Sequence, residues 1–230
     1  LRPGALRGTR IGVVRQFTRM EPEDEAMALI FEAALLDLQA LGATVIDVAL
    51  PGLEALLFER MDGFYVLTHD FGRDLDVFLD AHPEAPVSSL AEIIGSGRAH
   101  PAVQPLLEAS AAFGPEDRSD YLDELRKREV LRTMLLTAMA EQNLDALAYP
   151  TIRRQAAPLG MLQPGDNCQL SGNSGLPAIT VPSGWTDDGL PAGLELLGRL
   201  WSDAALLGWA YDYEQATRHR QVPALTSGSQ

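Results

Sequence analysis

The clearest hydrophobic pattern in the chain spans residues 9–50, where an apolar run, an amphipathic stretch and a second apolar run follow one another. Residues 9–14 read as a short buried strand. Glu21, Glu23, Asp24 and Glu25 then set negative charge at the positive end of a helix, and Pro22 suits the first turn. Met27, Phe31, Ala34, Leu35, Leu38 and Leu41 recur at the three-and-four spacing of one helical face, and Gly42 stands where a left-handed C-cap belongs. Residues 44–50 supply the next strand. The segment is therefore predicted to be a strand-helix-strand unit with parallel strands and a right-handed crossover.

From residue 53 to residue 100 the pattern is helical but interrupted. Gly63 and Gly72 are expected to break a helix over residues 53–79, and Ser89 to cap a short one running through Ile94. A long helix is predicted to begin around Pro115. Its apolar stripe is Tyr121, Leu122, Leu125, Leu131, Met134, Leu135, Ala138 and Met139, with Asp123/Lys127 and Glu124/Arg128 as outward pairs. Residues 144–149 read as another buried strand, ended by Pro150, and a loop containing Pro158 and Pro164 leads to Asn167. Strands at 178–181 and 192–198, joined by a turn through 186–189, should pair antiparallel. Ser202 is then expected to cap a final helix bearing Leu206, Trp209, Ala210 and Tyr213. Together these elements predict an α/β fold, a layered mixed β-sheet with flanking helices. It should form a single unit over residues 1–220, followed by a flexible tail over 221–230.

Composition narrows the function classes. With 46% hydrophobic and 22% charged residues, the chain has ordinary soluble composition, and no apolar run approaches the roughly 20 residues that cross a bilayer. No N-terminal targeting segment is expected. The net charge of −14, from 18 basic and 32 acidic residues, disfavours nucleic acid and anionic membrane as partners. Cys168 is the only cysteine, so no internal disulfide can form and a cytoplasmic setting is expected. His69, His82, His100 and His219 lack metal-ligand spacing, so neither a metal site nor a cofactor is expected.

A serine hydrolase needs a hydroxyl, a base and oxyanion donors. Lys127 falls on the polar face of a helix, Ser88-Ser89 suits an N-cap, and no Gly-x-Ser-x-Gly elbow occurs, so no catalytic residue is assigned within the chain. Gly172-Asn173-Ser174-Gly175 flanks a serine with glycines. It reads as turn chemistry, with a substrate-facing wall as the alternative. Asn167, Cys168, Gln169 and Asn173 are the candidate substrate-binding residues for that wall. Nothing near Cys168 in sequence would activate it, so it reads as an incidental thiol. His69-Asp70 is a weak acid-base candidate, because helical neighbours are expected to point to different faces.

Residues 173–184 (Asn-Ser-Gly-Leu-Pro-Ala-Ile-Thr-Val-Pro-Ser-Gly) and 188–198 (Asp-Gly-Leu-Pro-Ala-Gly-Leu-Glu-Leu-Leu-Gly) resemble the amidase signature family. Further matches follow in order at residues 6–13, 71–79, 89–94 and 144–151, so the resemblance covers nearly the whole chain but only the C-terminal half of the family's fold. It implies amide hydrolysis or transfer by a serine nucleophile, a neighbouring cis-serine and a lysine, all upstream of the region resembled, without a cofactor. This chain would contribute sheet strands and part of the pocket wall. Its expected partners are the N-terminal half of the amidase, covalent or separate, and a small amide substrate, with a homodimer through exposed core surface a further expectation. Glu195 stands where many relatives have glutamine, and no segment is similar to the glutamine-handling loops of the tRNA-dependent amidotransferase. The resemblance thus favours a hydrolytic amidase, inactive as this chain alone. A stand-alone noncatalytic binding module and a fragment of a protein like the glutamyl-tRNA amidotransferase A subunit are the alternatives.

Overall fold

Five strands form one mixed sheet: β1 (Arg10–Val14), β2 (Thr44–Val48), β3 (Ala146–Pro150), β4 (Ala178–Trp185) and β5 (Pro191–Gly198), in the order β2-β1-β3-β5-β4. The computed structural model describes residues 1–114 and 117–222. Pro115, where the long helix was expected to begin, and positions 223–230 of the expected tail lie outside the described residues. β1 runs parallel to both β2 and β3, whereas β5 is antiparallel to β3 and β4. The layered mixed α/β sheet expected from the sequence is therefore the fold.

α1 (Glu25–Ala40) carries its apolar stripe onto the sheet, and Gly42 takes φ +92° to turn the chain into β2. α7 (Asp203–Thr217) covers the same sheet face. Ile11, Val13, Ala148, Val181, Leu194 and Leu196 of the sheet pack there with Phe31, Leu35 and Leu38 of α1 and Leu206 and Tyr213 of α7. Full burial of each large apolar side chain contributes about 1.5–3 kcal/mol, so this layer is the main source of cohesion. Ser202 stands at the N-cap of α7, but its hydroxyl does not cap. With φ −90° and ψ 14° the residue lacks the extended backbone that aims a cap at the first turn, and Oγ instead donates to the Arg199 carbonyl at 2.7 Å.

The hairpin joining β4 to β5 forms as expected, closed by Thr186 N–H to Leu190 O at 2.8 Å. β4 extends past the predicted residue 181, through Pro182 to Trp185, with a register shift between Pro182 and Gly184. An edge strand accepts a proline because its outer N–H groups have no ladder partner.

The chain divides into two compact units, one of residues 1–54 with 131–230 and the other of 55–130. The second unit begins with a π-helical stretch (Ala55–Arg60), followed by α2 (Tyr65–Asp80), α3 (Leu90–Gly95), α4 (Gln104–Ala111) and the start of α5 (Arg118–Glu141). Gly63 precedes α2, but Gly72 does not break it. A Cβ at Gly72 would lie 3.1 Å from the Ser110 carbonyl and 3.3 Å from Leu90 Cδ2, so the glycine is retained inside the helix for close packing. Ser89 caps α3, accepting from Glu92 N–H at 3.2 Å. Glu124 is buried rather than outward and pairs with Lys127 at 2.6 Å, while Asp123 pairs with Lys127 at 2.9 Å as expected. His69 and Asp70 do meet, at 3.1 Å, because Tyr121 stacks on the imidazole and donates to Asp70 at 3.0 Å. No helix among the described residues is long and apolar enough to cross a membrane.

Candidate functional site

The register places Tyr149 of β3 and Thr180 of β4 on either side of Glu195 of β5, so three polar side chains form one row across the sheet. Strand alternation turns this row away from Leu194 and Leu196, onto the face that α1 and α7 leave free. Tyr149 Oη donates to Glu195 Oε1 at 2.8 Å. Thr180 Oγ1 donates to Oε2 at 3.5 Å and makes a short hydrogen bond with Thr151 Oγ1. Gly193 makes room for Thr151, since a Cβ there would stand 2.8 Å from its hydroxyl. Tyr149 is fully buried and Glu195 is 8% exposed, whereas Thr180 reaches solvent. Burial above all, then the Glu195 charge, holds the Tyr149 phenol well above its ordinary pKa.

Over this row lies α6 (Gln169–Ser174), a short helix where the glycine-flanked segment was expected to be a turn. Gly175 ends it in the left-handed region, φ +66°, with its N–H on the Ser171 carbonyl at 3.0 Å. Ser171 Oγ donates to Glu195 Oε1 at 3.2 Å, which ties the helix to the strand row. Ser174 is fully buried and accepts from Leu176 N–H at 3.2 Å, in keeping with a structural role.

The four residues singled out from the sequence divide by environment. Asn167 is fully buried: its amide donates to the carbonyls of Pro150 at 2.6 Å and Phe17 at 3.2 Å and accepts from Arg153 at 3.0 Å. It therefore fastens the end of β3 beneath the loop. Gln169 and Asn173, one turn apart, are joined at 2.5 Å, with Asn173 buried and Gln169 half-buried. Cys168 reaches solvent at the start of α6. Tyr149, Thr151, Ser171, Thr180 and Glu195 were not singled out as site residues. The available signal was Glu195 itself, a charge set among apolar residues in the middle of a strand.

Asp24 fixes the loop that carries α6. It is fully buried, receives Arg154 Nε and Nη2 at 2.9 and 2.8 Å, and lies 3.4 Å from Arg153 Nε. Burial opposes its ionisation, but Arg154 and the N–H groups of Glu21 and Met20 hold the carboxyl below the usual range.

Desolvation of its sulfur, then the hydrogen bond to Asp166 Oδ1 at 3.1 Å, pushes the Cys168 thiol up to about 11. Exposure does not make it reactive, because the thiolate is the nucleophile. Alkylation by iodoacetamide, followed by intact-mass spectrometry, should be slow at pH 8 and accelerate as pH climbs toward about 11. Asp166→Asn should bring the acceleration to lower pH.

The mixed five-stranded sheet with its flanking helices is the fold of amidases. The amidase family model matches residues 2–207, and the chain belongs to that family. The chain is 32% identical to the native peptide amidase of Stenotrophomonas maltophilia, with a TM-score of 0.77 over 98% of this chain and 46% of that one. It is 33% identical to a peptide amidase solved with the competitive inhibitor chymostatin, at a TM-score of 0.76 over 97% of this chain and 46% of that one. Among curated proteins it is 31% identical to the A subunit of glutamyl-tRNA(Gln) amidotransferase from Moorella thermoacetica, over 96% of this chain and 47% of that protein. The chain thus spans about half the length of the curated relatives it matches.

Proposed function

We propose that this chain furnishes the C-terminal part of a serine-dependent amidase that hydrolyses a carboxylic amide C–N bond, and that it does not turn over substrate alone. The nucleophilic serine, the second serine and the lysine would come from the remaining half of the fold, its principal partner. The observation that carries this reading is the likeness to peptide amidases over almost the whole chain, yet over less than half of theirs. Local chemistry agrees with it: Lys127 is occupied by Asp123 and Glu124, and Ser174 is buried. Cys168, Gln169 and Asn173, with the strand row beneath them, would form part of the substrate wall, and Asn167 would support it from below. A cytoplasmic site of action fits a chain with one cysteine.

Ammonia release from simple primary amides tests the reading. The purified 230-residue chain should show none, and the enzyme reconstituted with the remaining half should show turnover that a serine-directed inhibitor abolishes. Turnover by the chain alone would refute the division of labour; none from the reconstituted enzyme would refute the amidase. A second reading, part of the A subunit of a tRNA-dependent amidotransferase, is favoured by the identity to such proteins. It would be supported if turnover required further subunits. Self-association without the remaining half, seen by sedimentation, would point to a homodimer through exposed core surface.

A further inference from the structure

We propose that Glu195 sets the hydrogen-bond polarity of the exposed wall, so that this face accepts from, and thereby selects, ligands that offer an N–H donor such as a primary amide. The inference rests on the amidase reading for its biological meaning, but its physical content stands on the strand row alone.

A carboxylate only accepts hydrogen bonds, and a hydroxyl has one proton to give. Three hydroxyls converge on Glu195: Tyr149 and Ser171 on Oε1 at 2.8 and 3.2 Å, and Thr180 on Oε2 at 3.5 Å. Ser171 has a second, longer acceptor in the Cys168 carbonyl at 3.4 Å, and with either acceptor its proton, like the other two, is directed at the protein. Either threonine could donate in the hydrogen bond they share; in the proposed arrangement the Thr180 proton goes to the carboxylate, the stronger acceptor although at 3.5 Å, so that Thr151 donates to Thr180 and both bonds are made. The chain of donation runs from Thr151 to Thr180 to Glu195. What remains toward solvent on Thr180, Thr151 and Ser171, exposed or half-buried, is lone pairs. The outward surface is an array of acceptors, and the charge that imposes it is itself 8% exposed.

Glutamine at this position would act differently. Its Oε1 would still receive Tyr149 and Ser171, while its amide nitrogen, in the place of Oε2, would donate to Thr180. The Thr180 proton would then be released to Thr151 or to solvent, and the outward polarity of the two threonines would reverse. Glu195 is thus a positioning residue: it acts on a ligand through the hydroxyls it orients.

The experiment compares the affinity of the 230-residue chain for benzamide and for methyl benzoate, which has a similar shape without the N–H donor, by ligand-observed NMR titration. The unaltered chain should favour benzamide by about 3- to 10-fold, the worth of one net hydrogen bond. Glu195→Gln should bring the ratio to one or below, and Thr180→Val should weaken the preference while leaving Glu195 in place. A purely structural loss would weaken both ligands together and leave the ratio unchanged. Equal affinities in the unaltered chain, binding of neither ligand, or a ratio that survives in both variants would overturn the proposal. If Glu195→Gln loses its near-UV circular dichroism, Thr180→Val decides. Failure of the amidase reading is separate, since it shows in ammonia release and not in this ratio.

Discussion

Asp24→Ala should lower the stability of the chain by about 3–5 kcal/mol, the usual result of removing one member of a buried ion pair. The effect is large because one carboxylate does several jobs at once. Its Oδ1 receives two N–H groups of Arg154, and its Oδ2 receives the N–H groups of Met20 and Glu21 at 3.0 Å each, which start the turn (Pro22–Asp24) before α1. Without it, Arg153, 13% exposed, would lose the carboxylate beside it, and Arg154, 23% exposed, would keep only the exposed Glu23 at 3.7 Å. Urea denaturation would give the cost. Asp24→Asn, which keeps an acceptor oxygen but loses the charge, should recover part of it. A change below about 1 kcal/mol would mean that the arginines relax into solvent. The same pair gives a pH dependence. A carboxyl whose pKa is lower folded than unfolded stabilises the fold above the unfolded value, near 3.9, and loses that contribution as pH falls through the folded value. Acid unfolding of the unaltered chain should therefore steepen below about pH 4, and Asp24→Asn should flatten that limb.

The second large effect is expected at Tyr213, which is fully buried among Phe31, Leu38 and Leu206. Tyr213→Ala should cost about 3–5 kcal/mol through lost burial and the cavity left behind. At roughly 2–4 °C per kcal/mol for a chain of this size, the thermal midpoint should fall on the order of 10 °C. Tyr213→Phe isolates the hydroxyl, which donates to Asp37 at 3.3 Å, and should cost only about 0.5–1.5 kcal/mol. Asp37 also receives His219 at 2.9 Å, so the phenylalanine variant leaves the carboxylate one partner. Scanning calorimetry of both variants would separate packing from hydrogen bonding. Equal losses would assign the stability to the hydroxyl.

What could be read from the sequence was what local periodicity encodes. The β1-α1-β2 unit follows from alternation of the three-and-four spacing with short apolar runs, and the β4-β5 hairpin from turn residues between two such runs. Features that depend on tertiary packing or on the backbone conformation at one residue were not legible. Gly72 signals a break until the Ser110 carbonyl explains why a helix would keep it. Glu124 looks like a surface charge until Lys127 folds over it. Ser202 has the identity of a cap but not the backbone. The site was half visible: the segment over residues 167–175 was found through its glycines, though as a turn and not as a helix, whereas the row through Tyr149, Glu195 and Thr180 arises from the register of three strands. No single strand contains that information.

The strand order also imposes a timetable on synthesis. β1 lies inside the sheet, yet β3, its second neighbour, follows only after the whole of residues 55–130, and β5 later still. At roughly 5–20 residues per second, β1, α1 and β2 would wait on the order of ten seconds for the elements that complete their layer. During that interval Phe31, Leu35 and Leu38 face no α7, and one rim of β1 has no partner. The nascent chain is therefore most vulnerable to aggregation while residues 55–130 leave the ribosome, and chaperone binding should peak in that window.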